Sequence, residues 1–240
     1  MPYLDQGEFY SEFGNFDVQI TLPKNYVVAA TGELQNTEEK EWLNTRKKFS
    51  WNTVSKKIKS KGGITKTIKQ AYPPSDKETK TIRYTQSDVH DFAWFADKRF
   101  IVAHDTCALS PGKIIDVYSY YTKEESGAWQ SSLSFSKDAI RFYSMQVGEY
   151  PYAIASVVQG PESFGGGMEY PTITVISPGI KGQQLDKIIA HELGHNWFYG
   201  ILASDERTHP WMDEGINSFY ENKYSLSKKN DEASQESILF

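Results

Sequence analysis

The rhythm of apolar and polar positions changes several times along this chain of 240 residues, and each change predicts an element. Residues 8–36 alternate with a two-residue period: EFYSEFGNFDVQITLP, a turn at Pro23-Lys24-Asn25, then YVVAATGEL. A half-buried antiparallel sheet fits that pattern. Residues 37–79 interrupt it with a polar, lysine-rich run, and alternation returns in KTIRYTQ at 80–86. Two strands of one sheet should therefore bracket a solvated excursion. RFIVAHDTCAL (99–109) and KIIDVYSYYT (113–122) read as two strands joined by the turn Ser110-Pro111-Gly112. Residues 126–147 shift to a helical period, with Leu133, Ile140, Phe142, Tyr143 and Met145 as core positions. PYAIASVVQ (151–159) and TITVIS (172–177) are strands again, separated by a glycine-rich segment. A helix opens near Gln184, with Asp186 in its first turn, where the helix dipole favours an acid. A second helix over 211–224 is predicted from Met212, Ile216, Phe219 and Tyr220. The polar end, SLSKKNDEASQESILF, predicts no clear final element. The aromatic stretch HDFAWFA at 90–96 marks the end of the sheet-rich part, so the chain divides into residues 1–92 and 93–240.

Composition narrows the class. The hydrophobic fraction of 39% and aromatic fraction of 14% belong to a folded globular chain. The net charge of −5 does not suggest a nucleic-acid partner, and the basic run around Trp51 sits beside Glu38, Glu39 and Glu41, as a solvated surface does. No run of about 18 apolar residues predicts a membrane span. The start, MPYLDQGEFYSEF, lacks the basic and apolar regions of a signal peptide and enters directly into strand patterning, as expected of a segment from a longer chain. The single cysteine, Cys107, excludes an internal disulfide and reads as a small buried apolar residue. His90 and His104 have no liganding neighbours at metal spacing and read as structural.

The chemistry concentrates in KIIAHELGHNWFYG, residues 187–200, which contains the pattern H-E-x-x-H. Residues four apart on a helix share a face, so His191 and His195 can direct two imidazoles at one point. Two neutral imidazoles at that spacing suit Zn²⁺. Glu192 leaves the helix about 100° around from His191 and can reach a water on the metal without ligating it, the position of a general base. A catalytic zinc needs a third protein ligand and an open position. Glu214, in the WMDEG segment on the second predicted helix, is the candidate. Asn217 and Ser218 lie just beyond it and are candidates to support the ligands. Upstream, Gly166 and Gly167 precede Glu169 on a glycine-rich strand edge. There an extended peptide can pair its backbone and present its α-ammonium to a fixed carboxylate. The triple glycine is not a phosphate loop, because no Gly-Lys-Ser/Thr ending and no helix start follow it.

HELGHNWF followed by WMDEG, with eighteen residues between His195 and Glu214, resembles the aminopeptidase N family of gluzincin zinc metallopeptidases, which includes the leukotriene hydrolases. The family's G-x-M-E-N signature appears as Gly166-Gly167-Met168-Glu169-Tyr170, with Tyr170 in place of the usual Asn; Asp213 likewise stands where Asn is commoner. The resemblance implies an α+β fold: the C-terminal part of a β-rich N-terminal domain, then a thermolysin-like catalytic domain with its zinc site on two helices. It implies zinc on His191, His195 and Glu214, Glu192 as general base, and Glu169 as the group that binds a substrate's free amine. The implied activity is removal of N-terminal residues from peptides. It places the family's oxyanion-stabilising tyrosine downstream of these residues, and Tyr220 and Tyr224 lie too close to Glu214 to replace it. Two other functions fit a zinc-bearing chain: a zinc endopeptidase, and a catalytically incomplete segment that binds peptides.

Overall fold

The computed structural model describes residues 10–49, 54–59, 65–70 and 72–238, with side chains described for 10–49 and 72–229. The first strands form where alternation predicts them: β1 (Gly14–Pro23), β2 (Val27–Ala30) and β3 (Glu33–Leu34). Within β1, exposed Gln19 and Thr21 alternate with buried Ile20 and Leu22. The lysine-rich excursion is more structured than its polarity suggests. It contains α1 (Thr37–Thr45) and an antiparallel hairpin of β4 (Val54–Lys59) and β5 (Thr65–Gln70); Trp51 lies outside the described residues. The helix packs Leu43 and Trp42 into the N-terminal core and is held by buried polar groups as well. Glu39 pairs with Lys80 at 2.6 Å, and the Arg46 guanidinium just beyond α1 donates to the carbonyls of Lys98 and Phe100. Such anchors arise from residues far apart in sequence, so local periodicity does not reveal them.

The chain returns along β6 (Thr79–Val89), which pairs antiparallel with both β1 and β3, so two strands do bracket the excursion. After it, β7 (Trp94–Asp97) pairs with β2. Next come β8 (Ile101–Ala108), β9 (Ile114–Tyr121), α2 (Ser126–Trp129), α3 (Ser132–Gln146), β10 (Ile154–Gln159), β11 (Gly167–Tyr170), β12 (Ile173–Ile176), α4 (Gln183–Phe198) and α5 (Ile216–Ile238). The helix expected over 126–147 is thus broken into two. Its counterpart at the C-terminus runs far past 224: no Gly or Pro interrupts residues 216–238, and Lys228 ties the helix to Asp138 on α3 at 2.6 Å.

A five-stranded mixed sheet, in the order β11-β12-β10-β9-β8, divides two cores. Successive side chains on a strand point to opposite faces. Val102, Tyr120, Val158 and Ile173 accordingly pack with Ile20, Val28 and Ile82 of the N-terminal strands. Ile115, Val117, Val157 and Ile176 pack with Tyr143, Leu185, Ile189, Leu193 and Trp197 of the helices. Cys107 is buried in that second core as a free thiol. His90 is buried, with Nε2 3.0 Å from the Tyr199 carbonyl at the end of α4, and His104 stacks on Tyr118 beside Asp116. Both are structural histidines. From Ile189 onward helix α4 is buried on almost every side, and β11, an edge strand, runs alongside it. This is the mixed α+β architecture expected, with the helix pair α4 and α5 against one face of the sheet.

Candidate metal centre

Two elements supply the three candidate ligands. One turn of α4 separates His191 from His195, and their Nε2 atoms lie 3.2 Å apart with the ring planes at 85°. Glu214 comes from a widened, π-helical turn, Trp211–Gly215, that leads into α5. Its carboxylate oxygens stand 3.4 Å from Nε2 of His191 and 3.9 Å from Nε2 of His195. Donors placed tetrahedrally about 2.0–2.1 Å from a common zinc lie about 3.4 Å from one another. The three atoms therefore have the spacing of three corners of one coordination shell.

The opposite side of each imidazole explains why the Nε2 lone pairs face inward. Nδ1 of His195 is 2.5 Å from Oδ1 of Asp213, and Nδ1 of His191 is 2.9 Å from Oε2 of Glu221. A proton on Nδ1, donated to a carboxylate, leaves Nε2 as the acceptor; metal-ligating histidines are held in this way. Asp213 is fully buried, and Glu221 is also paired with Lys187 at 2.9 Å. Neither residue stood out in the sequence as a support for the histidines. Asp213 adjoins Glu214, and Glu221 follows it by seven residues, two turns of one helix face. That spacing was the available signal. Of the two supports expected, Asn217 contributes by donating to the His191 carbonyl at 2.8 Å and accepting from Tyr143; half-buried Ser218 does not join the network.

Close packing also accounts for two glycines. A Cβ at Gly194, inside the motif, would sit 2.1 Å from Oδ1 of Asn217 and 2.6 Å from the Tyr143 ring, so α3, α4 and α5 meet there. A Cβ at Gly167 would sit 2.0 Å from Oε1 of Glu192. The space on the Cβ side of Gly167 is thus occupied by the Glu192 carboxylate; Gly166, with φ of +85°, faces open space. Glu192 is buried, and its Oε2 has no hydrogen-bond partner among the described residues. A buried carboxylate oxygen in that condition calls for a water or a cation.

The electrostatics agree. Burial favours neutral His191, yet the Glu214 and Glu221 carboxylates outweigh it and raise its pKa to about 10. Burial pushes Glu192 up to about 8; the nearby imidazoles oppose the rise, and the Glu169 and Glu214 carboxylates add to it. Too many carboxylates share a small volume for two imidazoles to balance. A divalent cation among the Nε2 atoms would relieve that excess and draw both values down. The cluster faces a cleft of about 440 Å³ lined by Met168, Ile180, Gln184 and Ile188 as well as by Glu169, Glu192 and Glu214. Glu169 is buried on β11, and a carboxylate oxygen of it lies within 4.8 Å of a ring nitrogen of His195.

No protein-family profile matches the chain. It is 38% identical over 82 residues to leucine aminopeptidase 2 of Aspergillus oryzae, which covers 32% of this chain and 13% of that protein. It is 32% identical over 114 residues to leucine aminopeptidase 2 of Candida albicans, covering 45% of this chain and 18% of that protein. The chain thus spans less than a fifth of the length of these two relatives. Among solved structures, an M1 zinc metallopeptidase from Deinococcus radiodurans superimposes with a TM-score of 0.62 at 18% identity, over 92% of this chain and 42% of its own. A mutant two-domain M1 zinc metallopeptidase bound to L-tryptophan gives the same TM-score, identity and coverage. The chain has the α+β fold seen in M1 zinc metallopeptidase structures over nearly its whole length.

Proposed function

We propose that the chain carries the zinc centre and part of the substrate cleft of an M1-type aminopeptidase of the aminopeptidase N family. The observation that carries this reading is the convergence of Nε2 of His191, Nε2 of His195 and the Glu214 carboxylate, with each Nδ1 engaged by a carboxylate behind it. The similarity to leucine aminopeptidases and to M1 zinc metallopeptidases supports zinc as the metal and peptides as the substrate. The division into residues 1–92, from a β-rich N-terminal domain, and 93–240, from a catalytic domain, belongs to the same proposal.

When bound, zinc supplies a Lewis acid and lowers the pKa of a water at its open position. The protein's residues do the rest. His191, His195 and Glu214 hold the cation, while Asp213 and Glu221 keep the two rings in the liganding tautomer. Glu192, wedged against Gly167 with a buried oxygen that lacks a partner among the described residues, takes the water's proton and passes it to the departing amine. Glu169 on the edge strand meets the substrate's α-ammonium, so only the first peptide bond reaches the metal, and the enzyme acts as an exopeptidase. Such a charge-assisted contact is worth roughly 1.5–3 kcal/mol.

Glu192→Gln tests the assignment. The variant should keep stoichiometric zinc and lose hydrolysis of aminoacyl fluorogenic amides by two orders of magnitude or more. Full activity would remove Glu192 from the mechanism. Glu169→Gln separates exopeptidase from endopeptidase. Preference for free over N-acetylated substrates should fall about tenfold or more with zinc content unchanged. A variant that still rejects acetylated substrates as strongly as the parent would refute the amine anchor.

A further inference from the structure

Thr172 occupies a backbone conformation that its side chain resists. It follows Pro171 in the two-residue turn between β11 and β12, and its φ is +66°. A proline followed by a positive-φ residue is the pattern of a type II turn, whose second central position is normally Gly or Asn. A β-branched residue there is a genuine outlier. Strain of this kind persists only where the surroundings over-determine it, and it gathers at functional sites.

The surroundings of Thr172 do over-determine it. The residue is fully buried. Its N–H donates to Oδ1 of Asn196 at 2.9 Å, its carbonyl accepts from Ser156 at 2.8 Å, and its Oγ1 accepts from the Gly32 N–H at 2.8 Å. Asn196 is itself buried and locked, donating from Nδ2 to the Leu193 carbonyl at 3.1 Å. It is also the residue immediately after the ligand His195. The strained turn is therefore tied on one side to the metal helix and on the other to the N-terminal strands. Glu169 lies three residues before Thr172, paired with Thr174 across the same hairpin.

We infer that Asn196 is a positioning residue, which holds the Thr172 turn in its strained form and so sets the distance between the Glu169 carboxylate and the metal. The inference rests on Glu169 being the amine anchor proposed above. Glycine would make this turn without strain but would let it relax; a buried threonine bonded from two directions holds a single geometry. An amine anchor needs that constancy, because the register of the substrate against the metal depends on it.

The test uses the zinc-loaded protein. Asn196→Leu removes the acceptor at similar volume, and Asn196→Asp keeps an acceptor for the Thr172 N–H. The Leu variant should retain stoichiometric zinc and turn over an N-acetylated aminoacyl amide within about threefold of the parent. Its KM for the free-amine amide should rise, cutting the free-to-acetylated preference about tenfold. Amide exchange at Thr172 should accelerate, and the Asp variant should recover most of the preference. If Asn196→Leu does not fold, Asn196→Ala carries the same expectations without added branching. An unchanged preference in a variant lacking the acceptor, alongside a collapse in Glu169→Gln, overturns the role of Asn196 alone. An unchanged preference in Glu169→Gln overturns the amine anchor and this inference with it.

Discussion

At the scale of single residues, the site is a balance between imidazoles that must be neutral and carboxylates that favour their protonation. His191 is the sharper case. Burial lowers its pKa, but Glu214 and Glu221 raise it to about 10, so the ring holds a proton through the neutral range. A metal needs the lone pair free, and protons therefore compete for it. Zinc affinity should rise with pH between 6 and 8, by about tenfold per unit for each proton displaced. A chelator-competition series giving a flat profile would contradict this. The same assay tests the carboxylates behind the rings. Asp213→Ala and Glu221→Ala should each weaken zinc binding roughly 10–100-fold. His191→Ala and Glu214→Ala, which delete the proposed ligands outright, should leave no tightly bound zinc after dialysis.

At the scale of elements, the site depends on helices approaching closely enough to share it. Gly194 is where α3, α4 and α5 meet, and Gly194→Ala drives a methyl into Asn217 and Tyr143. Overpacking of that kind costs about 1–3 kcal/mol. In a chain of this size each kcal/mol lowers Tm by about 2–4 °C. Scanning calorimetry should register that fall, and an unchanged Tm would show that the helices separate freely. Gly167→Ala differs in kind, because the obstructing group is the far end of the Glu192 side chain, which can swing away. The fold and the zinc should survive while kcat drops, by up to about a hundredfold if the carboxylate moves by an ångström. An intact kcat would place the working position of Glu192 elsewhere.

At the scale of the whole molecule, the proposed metal would join two parts of the chain that packing alone already brings together. Tyr224 on α5 donates to Asp186 on α4 at 2.6 Å, and Tyr143 on α3 stacks on Trp197 of α4. Zinc binding only the folded state should add stability by mass action, about 2.7 kcal/mol at a hundredfold excess over Kd. Removing it with a chelator should then lower Tm by roughly 5–11 °C without unfolding the chain at room temperature. A collapse of helical signal on chelation would show instead that the metal builds the fold.

Much of this was legible along the chain, for a reason that also marks where legibility stops. His191, Glu192 and His195 depend on helical period alone, and period is local, so their mutual placement follows from spacing. The strands β1 and β6 likewise declare themselves through alternation, because one face of each is buried and the other is largely open, whereas β8 and β9 meet a core on both faces and alternate only in part. Helix α1 and the length of α5 were not legible, since their anchors, Arg46 to the Phe100 carbonyl and Lys228 to Asp138, join residues some fifty and ninety positions apart. The tertiary structure alone decided which carboxylates stand behind the histidines, that Gly167 makes room for the Glu192 side chain, and that a strained Thr172 is bonded to the residue after His195. Each of these is a contact between segments distant in sequence. A one-dimensional pattern carries the direction in which a side chain leaves its own helix or strand, but not what it meets there.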